Sequence, residues 1–286
     1  MELRTDLKKL KNIKLIIFDL DGTLLNNQNQ IGKETIELVK KLRSLGMRFS
    51  FATGRLHSAI VEHASTLEIR TPLISLDGCM IKSFPEDKVL FESYVPKRYV
   101  KRAIKLADDL LVKIALCQSD AIIYNENNSI IPTILEKYGA YYKQVESYEP
   151  YLDKILEIVI TSDYKPAVKK FMNKMDFPYT FGLSYSYYKS YSKGDMYFYE
   201  VRKHGSNKGT GVKKLAKYLG INLNDVAAIG DWHNDMELFN VVGLKVALAN
   251  AVNEIKYNAD IITDKTNDED GTAEFLKMVL DAHQKK

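Results

Sequence analysis

The sequence predicts an α/β fold: a doubly wound parallel sheet, interrupted by an inserted α+β segment. Two observations carry this. Short apolar runs alternate with helix-period segments at the start of the chain, and the same alternation resumes after Lys208. Between them, candidate strands come in pairs, and Tyr and Ser are dense from Gly182 to Tyr199. The 286 residues suffice for two domains, and a composition of 45% hydrophobic and 27% charged residues excludes a disordered chain. Lys and Arg exceed Asp and Glu by only four (41 against 37) and cluster nowhere, so nucleic acid is not an expected partner. Cys79 and Cys117 stand far apart outside any metal-ligand spacing and read as core residues. No run approaches the ~18 apolar residues of a membrane span, and no apolar segment follows the basic N-terminal residues. The expected protein is soluble and cytoplasmic, with no membrane partner; its oligomeric state is not legible.

Taken in order, Ile13 to Phe18 is an apolar run suited to a buried parallel strand, ending at Asp19-Leu20-Asp21-Gly22-Thr23. Ile36, Val39, Leu42 and Leu45 recur at helical spacing over Lys33 to Leu45, and Gly46 stands where a helix stops. Met47 to Ala52 is the next strand, His57 to Leu67 the next helix, and Pro72 to Leu76 a third strand. The insert, residues 82–195, carries expected strands at Lys113 to Asn125, Lys154 to Thr161 and Thr180 to Tyr188, with Met196 to Val201 following. Its expected helices are Lys97 to Leu111, Ile130 to Tyr138 and Tyr164 to Lys174. Residues 1–81 and 196–286 then form one core. Its second part has a helix over Lys208 to Leu219, a strand Asp225 to Ile229, a helix Met236 to Asn240 and a strand Leu244 to Leu248. A helix from Val252, a strand Asp260 to Thr263 and a closing helix Thr272 to His283 complete it.

Ligands bind an open parallel sheet outside the carboxyl ends of its strands, and the polar residues stand at those ends: Asp19 and Asp21, Thr53 and Gly54, Ser75 and Asp77, and Asp231. Singly, each is an ordinary turn or cap residue; together they mark a site. Asp19, Asp21 and Asp231 would repel one another without a cation, and all-oxygen ligation suits Mg²⁺, which in turn would hold a phosphate oxygen. Lys208, opening a helix after His204-Gly205-Ser206-Asn207, is the further positive group.

Asp19-Leu20-Asp21-Gly22-Thr23-Leu24-Leu25, Ala52-Thr53-Gly54-Arg55, Ser206-Asn207-Lys208-Gly209 and Gly230-Asp231-Trp232-His233-Asn234-Asp235 resemble, in order and position, the four motifs of the haloacid dehalogenase-like (HAD) hydrolases. The insert resembles the type-II cap of the Cof-type subfamily IIB phosphatases, so the resemblance spans nearly the whole chain. It implies that Asp19 attacks phosphorus to form an aspartyl phosphate and that Asp21 is general acid and then base. It implies further that Thr53, the Gly54 amide, Lys208 and Asn234 hold phosphate. The implied Mg²⁺ site draws on Asp19, the Asp21 carbonyl and Asp231, with Asp235 orienting metal waters or Lys208. The implied activity is a Mg²⁺-dependent phosphatase of small phosphorylated metabolites, with sugar phosphates the expected class. A phosphomutase, or a binding module without turnover, is the alternative; the presence of both Asp19 and Asp21 speaks against the latter.

Two departures stand out: Trp232-His233 inside the fourth motif, and Asp77-Gly78 where relatives carry Asn-Gly. Trp232 reads as a partly buried helix-start aromatic. Gly205 to Gly211 is no nucleotide phosphate loop, because its Lys precedes the second Gly. The tyrosines at 185, 187, 188, 191, 197 and 199 read as the half-buried face of paired strands.

Overall fold

The computed structural model describes residues 7–134, 141–176, 181–189 and 196–284. It divides into two compact units. The first comprises residues 1–54, 61–90 and 207–286, and the second 55–60 and 91–206.

In the first unit the central sheet contains β1 (Leu15–Phe18), β2 (Arg48–Phe51), β12 (Val226–Gly230), β13 (Leu244–Ala247) and β14 (Ile261–Ile262). Their spatial order is β14-β13-β12-β1-β2, every pairing is parallel, and β3 (Leu73–Ser75) joins beyond β2 through a parallel bridge between Ala52 and Ile74. The order reverses at β1, the topological switch point of a doubly wound sheet. Every residue of β1 and β12 is buried, as strands covered on both faces must be. Phe18 stacks on Phe49 across β1 and β2, with ring centroids 5.7 Å apart. Helix α2 (Lys33–Ser44) packs against α10 (Gly271–Gln284), and Gly46 takes the left-handed φ of 88° that ends α2.

Several expectations are revised here. The segment read as one helix over 57–67 is a 3-10 turn, His57–Ala59, followed by α3 (Val61–Thr66). The strand over Asp260 to Thr263 shrinks to β14. A ribbon of β4 (Met80–Lys82) and β5 (Val89–Glu92) extends from β3, unforeseen because its strands are too short to show alternation.

The second unit is a six-stranded sheet of order β10-β11-β9-β6-β7-β8. Its strands are β6 (Lys113–Cys117), β7 (Ile122–Asn125), β8 (Tyr142–Val145), β9 (Glu157–Ser162), β10 (Leu183–Lys189) and β11 (Tyr197–Lys203). All pairs are antiparallel except β7 with β8. The single strand read over Lys113 to Asn125 is two strands, because Gln118-Ser119-Asp120 turns the chain and the Gln118 amide donates to the Ala121 carbonyl (2.9 Å). Tyr142-Lys143-Gln144-Val145 carried too little apolar signal to predict β8. Helices α4 (Lys97–Leu110) and α6 (Lys165–Asp176) bury Val100, Ala103, Val168 and Phe171 against Ile114, Ile158, Ile160, Tyr199 and Val201. The helix read over Ile130 to Tyr138 is described as α5 (Ile131–Ile134), and its remainder lies outside the described residues, as do Thr180 and Tyr191. Of the other tyrosines, Tyr199 is buried, Tyr187 and Tyr197 are half-buried against the helices, and Tyr185 is exposed. Both cysteines are buried.

Candidate active site

The site grows out of the carboxyl edge of the first unit's sheet. Phe18 lies opposite Ile229, so Asp19, directly after β1, and Asp231, directly after Gly230 ends β12, emerge at the same edge; the Asp19 amide donates to the Ile229 carbonyl (3.0 Å). One strand over, the Thr53 amide donates to Ile74 (3.2 Å) and the Asp77 amide to the Thr53 carbonyl (2.9 Å), which brings Asp77 to the same edge. Helix α7 (Lys208–Leu219) begins here. The Asn207 side chain accepts from the Thr210 amide (2.7 Å) and caps the helix, which fixes Lys208 at its first position.

Lys208 is fully buried, and its Nζ donates to Asp19 Oδ1 and Asp235 Oδ1, each at 2.6 Å. Asp235 Oδ2 accepts from the backbone amides of Asp231 (2.9 Å) and Trp232 (3.1 Å), so both its oxygens are engaged. Thr23 Oγ1 donates to Asp231 Oδ1 (2.8 Å). Oxygens of Asp19, Asp231 and Asp235 all lie within 4.8 Å of one another. The loop from β1 closes onto this cluster through Gly22, whose φ of 78° is left-handed and whose missing Cβ would strike the Asp231 carboxylate. Asn250 Nδ2 pins the Gly22 carbonyl (2.8 Å).

One ammonium thus faces three buried carboxylates. Burial, then the neighbouring Asp235 charge, pushes Asp19 well above the usual carboxylate range against the pull of Lys208. Burial, followed by Asp235, pushes Asp231 up to about 7, opposed by the Thr23 hydrogen bond. Burial alone would release the Lys208 proton, but Asp19, Asp235 and Asp77 outweigh it and hold the lysine charged. Ionised together, the three carboxylates carry more negative charge than Lys208 balances, so without a cation the cluster retains protons on hard oxygen donors that a cation would displace. That is the donor set and the charge that a divalent cation such as Mg²⁺ requires.

The structure brings together Asp19, Asp231, Asp235 and Lys208. The carboxylate of Asp21 lies outside this group and is solvent-exposed, two residues further along the loop. Asn234 is exposed at the edge, its Nδ2 3.4 Å from Asp77 Oδ1, and Gly54 faces the same Asp77 carboxylate. Trp232, expected to be partly buried, is 49% exposed and packs edge-on against His233, which pairs with Glu254 (2.6 Å). It precedes a 3-10 turn, His233–Asp235, that runs directly into the short helix Met236–Phe239. Sequence reasoning assigned no role to Thr23 or Asn250. Thr23 sits inside the first motif and could have been noticed, whereas Asn250 carries no local signal.

A doubly wound sheet with a lysine-bridged carboxylate cluster at its switch point defines a hydrolytic α/β enzyme of the phosphoryl-transfer type. A model of the haloacid dehalogenase-like hydrolases matches residues 16–276, and the chain belongs to that family. It is similar to the 5-amino-6-(5-phospho-D-ribitylamino)uracil phosphatase YitU of Bacillus subtilis, 24% identical over 280 residues that cover 92% of this chain and 96% of the relative. It is also similar to the solved structure of a haloacid dehalogenase-like hydrolase from Bacteroides thetaiotaomicron (25% identity, TM-score 0.83, 93% of this chain and 99% of that one). A solved HAD subclass IIB sugar phosphatase shares the fold, at 21% identity and TM-score 0.76 over 92% of this chain and 98% of its own. No helix among the described residues is long and apolar enough to cross a membrane.

Proposed function

We infer that the protein is a phosphoric monoester hydrolase of the cytoplasm that cleaves small phosphorylated metabolites, sugar or polyol phosphates above all, through an aspartyl phosphate on Asp19. The observation that carries this is the buried Lys208 bridge to Asp19 and Asp235 beside Asp231 at the sheet's switch point. Support for the substrate class comes from the ribityl phosphate named for the Bacillus relative and the sugar phosphatase that shares the fold.

In this reading Lys208 takes one oxygen of Asp19 and leaves Oδ2 to attack phosphorus. The P–O bond to the leaving group breaks as the new Asp19–P bond forms, and Asp21 gives its proton to the departing alkoxide. Asp21 then takes a proton from water, whose oxygen attacks phosphorus and releases inorganic phosphate with Asp19 restored. Lys208, Thr53, the Gly54 amide and Asn234 hold the phosphoryl oxygens, so the charge that shifts during transfer meets donors already in place. Asp19, Asp231 and the Asp21 carbonyl would hold Mg²⁺, with Asp235, its oxygens already occupied, holding Lys208 in position. When bound, the cation supplies charge neutralisation for phosphate and nucleophile. The second unit, in this reading a cap, discriminates among leaving groups.

The test is an acid quench of the full chain turning over a ³²P-labelled sugar phosphate. Label should stay on the parent protein, be absent from Asp19→Asn, and appear as inorganic phosphate. Label reappearing in a sugar product makes the enzyme a mutase, and turnover surviving in Asp19→Asn overturns the covalent route.

A further inference from the structure

Asp77 is the charged residue at the sheet edge to which the reaction above gives no part. Its position is tightly built. Leu76 and Asp77 both take φ of 46° and Gly78 takes 84°, three successive left-handed residues of which only the glycine adopts that region at no cost. The Asp77 amide is tied to the Thr53 carbonyl, and Gly78 packs so closely on the Asn207 backbone that a Cβ would collide with it. The strained run is therefore clamped between the Thr53-Gly54 loop and the residue that starts the Lys208 helix. Held this way, the buried Asp77 carboxylate lies beside Gly54 and accepts from Asn234 Nδ2 at 3.4 Å.

A carboxylate beside two residues assigned to phosphate opposes an incoming anion unless it does something else. An ionised carboxylate only accepts hydrogen bonds, whereas the amide of an Asn can meet its partner with either end. We propose that Asp77 is a positioning residue that fixes the Asn234 side-chain amide nitrogen-inward, so that its second N–H is presented to a phosphate oxygen. Lys208, on whose charge Asp77 also acts, offsets the repulsion between Asp77 and the phosphate. The clamp between Thr53 and Asn207 holds Leu76 and Asp77 in their strained backbone and keeps the carboxylate in place against its own preference for water. This proposal rests on the phosphate role given to Gly54 and Asn234 above.

The test is a double-mutant cycle on the full chain with Mg²⁺, reading inorganic phosphate binding by calorimetry. Asn234→Ala should weaken phosphate binding by about tenfold, the loss of one hydrogen bond to a charged group. Asp77→Ala should weaken it about threefold to tenfold when Asn234 is present, and should leave it unchanged or slightly tighter in the Asn234→Ala background, where only the repulsion is relieved. Asp77→Asn, which keeps the shape but allows the Asn234 amide to turn, should weaken binding about twofold, again only with Asn234 present, and carries the cycle should Asp77→Ala not fold. Equal weakening in both backgrounds, or no weakening in the first, overturns the proposal. If the parent hydrolyses esters through Asp19 yet the cycle is additive, only the role of Asp77 falls. A parent that binds no phosphate removes the phosphate reading of the edge with it.

Discussion

In each unit a buried cation, Lys208 in the first and Arg202 in the second, bridges two carboxylates, and the two clusters differ in what stands beside the bridge. In the second unit Arg202 donates through Nε to Glu157, through one terminal nitrogen to Glu200 (2.5 Å) and through the other to Ser186 (3.1 Å). Tyr188 adds a donation to Glu200 at 2.7 Å. The guanidinium fork spreads its donors over separate acceptors, a geometry that an ammonium does not offer. In the first unit Lys208 is a point donor, and a third carboxylate, Asp231, stands beside the bridge with a single threonine as side-chain donor. The first arrangement holds a sheet together. The second sets three carboxylates around one ammonium, one more than the guanidinium cluster holds, and that additional oxygen donor is what makes it a candidate site.

The largest effect should come from the Lys208 cluster. Asp19→Asn should lower kcat by more than about 1000-fold, the scale on which loss of a nucleophile acts. Because it removes a carboxylate that burial disfavours, it should not lower the unfolding free energy in chelator. A variant that loses stability in parallel with activity would make Asp19 a structural partner of Lys208, as Glu157 is of Arg202.

The cation test is next. Excess chelator should abolish turnover and Mg²⁺ restore it, and at ~100-fold saturation Mg²⁺ should raise the unfolding free energy by about 2.7 kcal/mol. Asp231→Ala should lose most of that stabilisation. Equal stabilisation in Asp231→Ala would place the cation elsewhere.

The Arg202 cluster should respond in stability instead. Arg202→Ala leaves Glu157 and Glu200 buried without their guanidinium and should cost about 3–5 kcal/mol in urea unfolding. A cost below about 1 kcal/mol would mean that water reaches the cluster and that it is no tighter than a surface pair.

The sequence disclosed these two clusters unequally. Asp19, Thr53, Lys208 and Asp231 were legible because a parallel sheet delivers its strand ends to one edge, so residues far apart in the chain share a place as soon as the strands are recognised. Glu157, Glu200 and Arg202 gave no such signal. Glu157 opens β9 while Glu200 and Arg202 lie in β11, and only the antiparallel register of these two strands, distant in the chain, sets Arg202 opposite Glu157. The Asn207 cap was half-visible, as a glycine-bearing run before a helix. Asp77 was legible at the edge as a strand-end residue, but the backbone that aims it was not, since three left-handed residues in succession have no propensity signature beyond Gly78.

Protonation sharpens the comparison further. Asp231 is raised in the folded protein, so in the absence of a cation its contribution to stability is fully present below the unfolded pKa of ~3.9 and is lost as pH rises through about 7. In chelator the protein should be more stable at pH 5 than at pH 8, by an amount of order 1–2 kcal/mol after allowance for the coupling with Asp19. Saturating Mg²⁺ should flatten or invert the slope, because the cation binds the ionised carboxylates. Asp231→Asn should remove most of the slope in chelator. A parent that gains stability between pH 5 and 8 in chelator would show that Lys208 already neutralises the cluster.

The smallest expected effect asks whether the second cluster is one unit or a fork with an accessory. Tyr188 is half-exposed at the sheet edge, and its hydroxyl donates to Glu200 Oε1, while Arg202 Nη2 donates to Oε2. Tyr188→Phe keeps the ring that stacks on Phe198 (centroids 5.3 Å apart) and deletes only the donor. The acceptor left behind, Glu200, is buried but keeps its guanidinium, so the loss should be about 1–2 kcal/mol, under that of Arg202→Ala. Combined with Arg202→Ala it should be close to additive, since the phenol and the guanidinium bind different oxygens. A Tyr188→Phe cost approaching that of Arg202→Ala, or strong non-additivity between the two, would mean that the phenol holds Glu200 for the arginine. The Arg202 cluster would then depend on a rim hydroxyl much as the Lys208 cluster depends on its ligand, and the contrast drawn between them would narrow to the identity of the fourth partner.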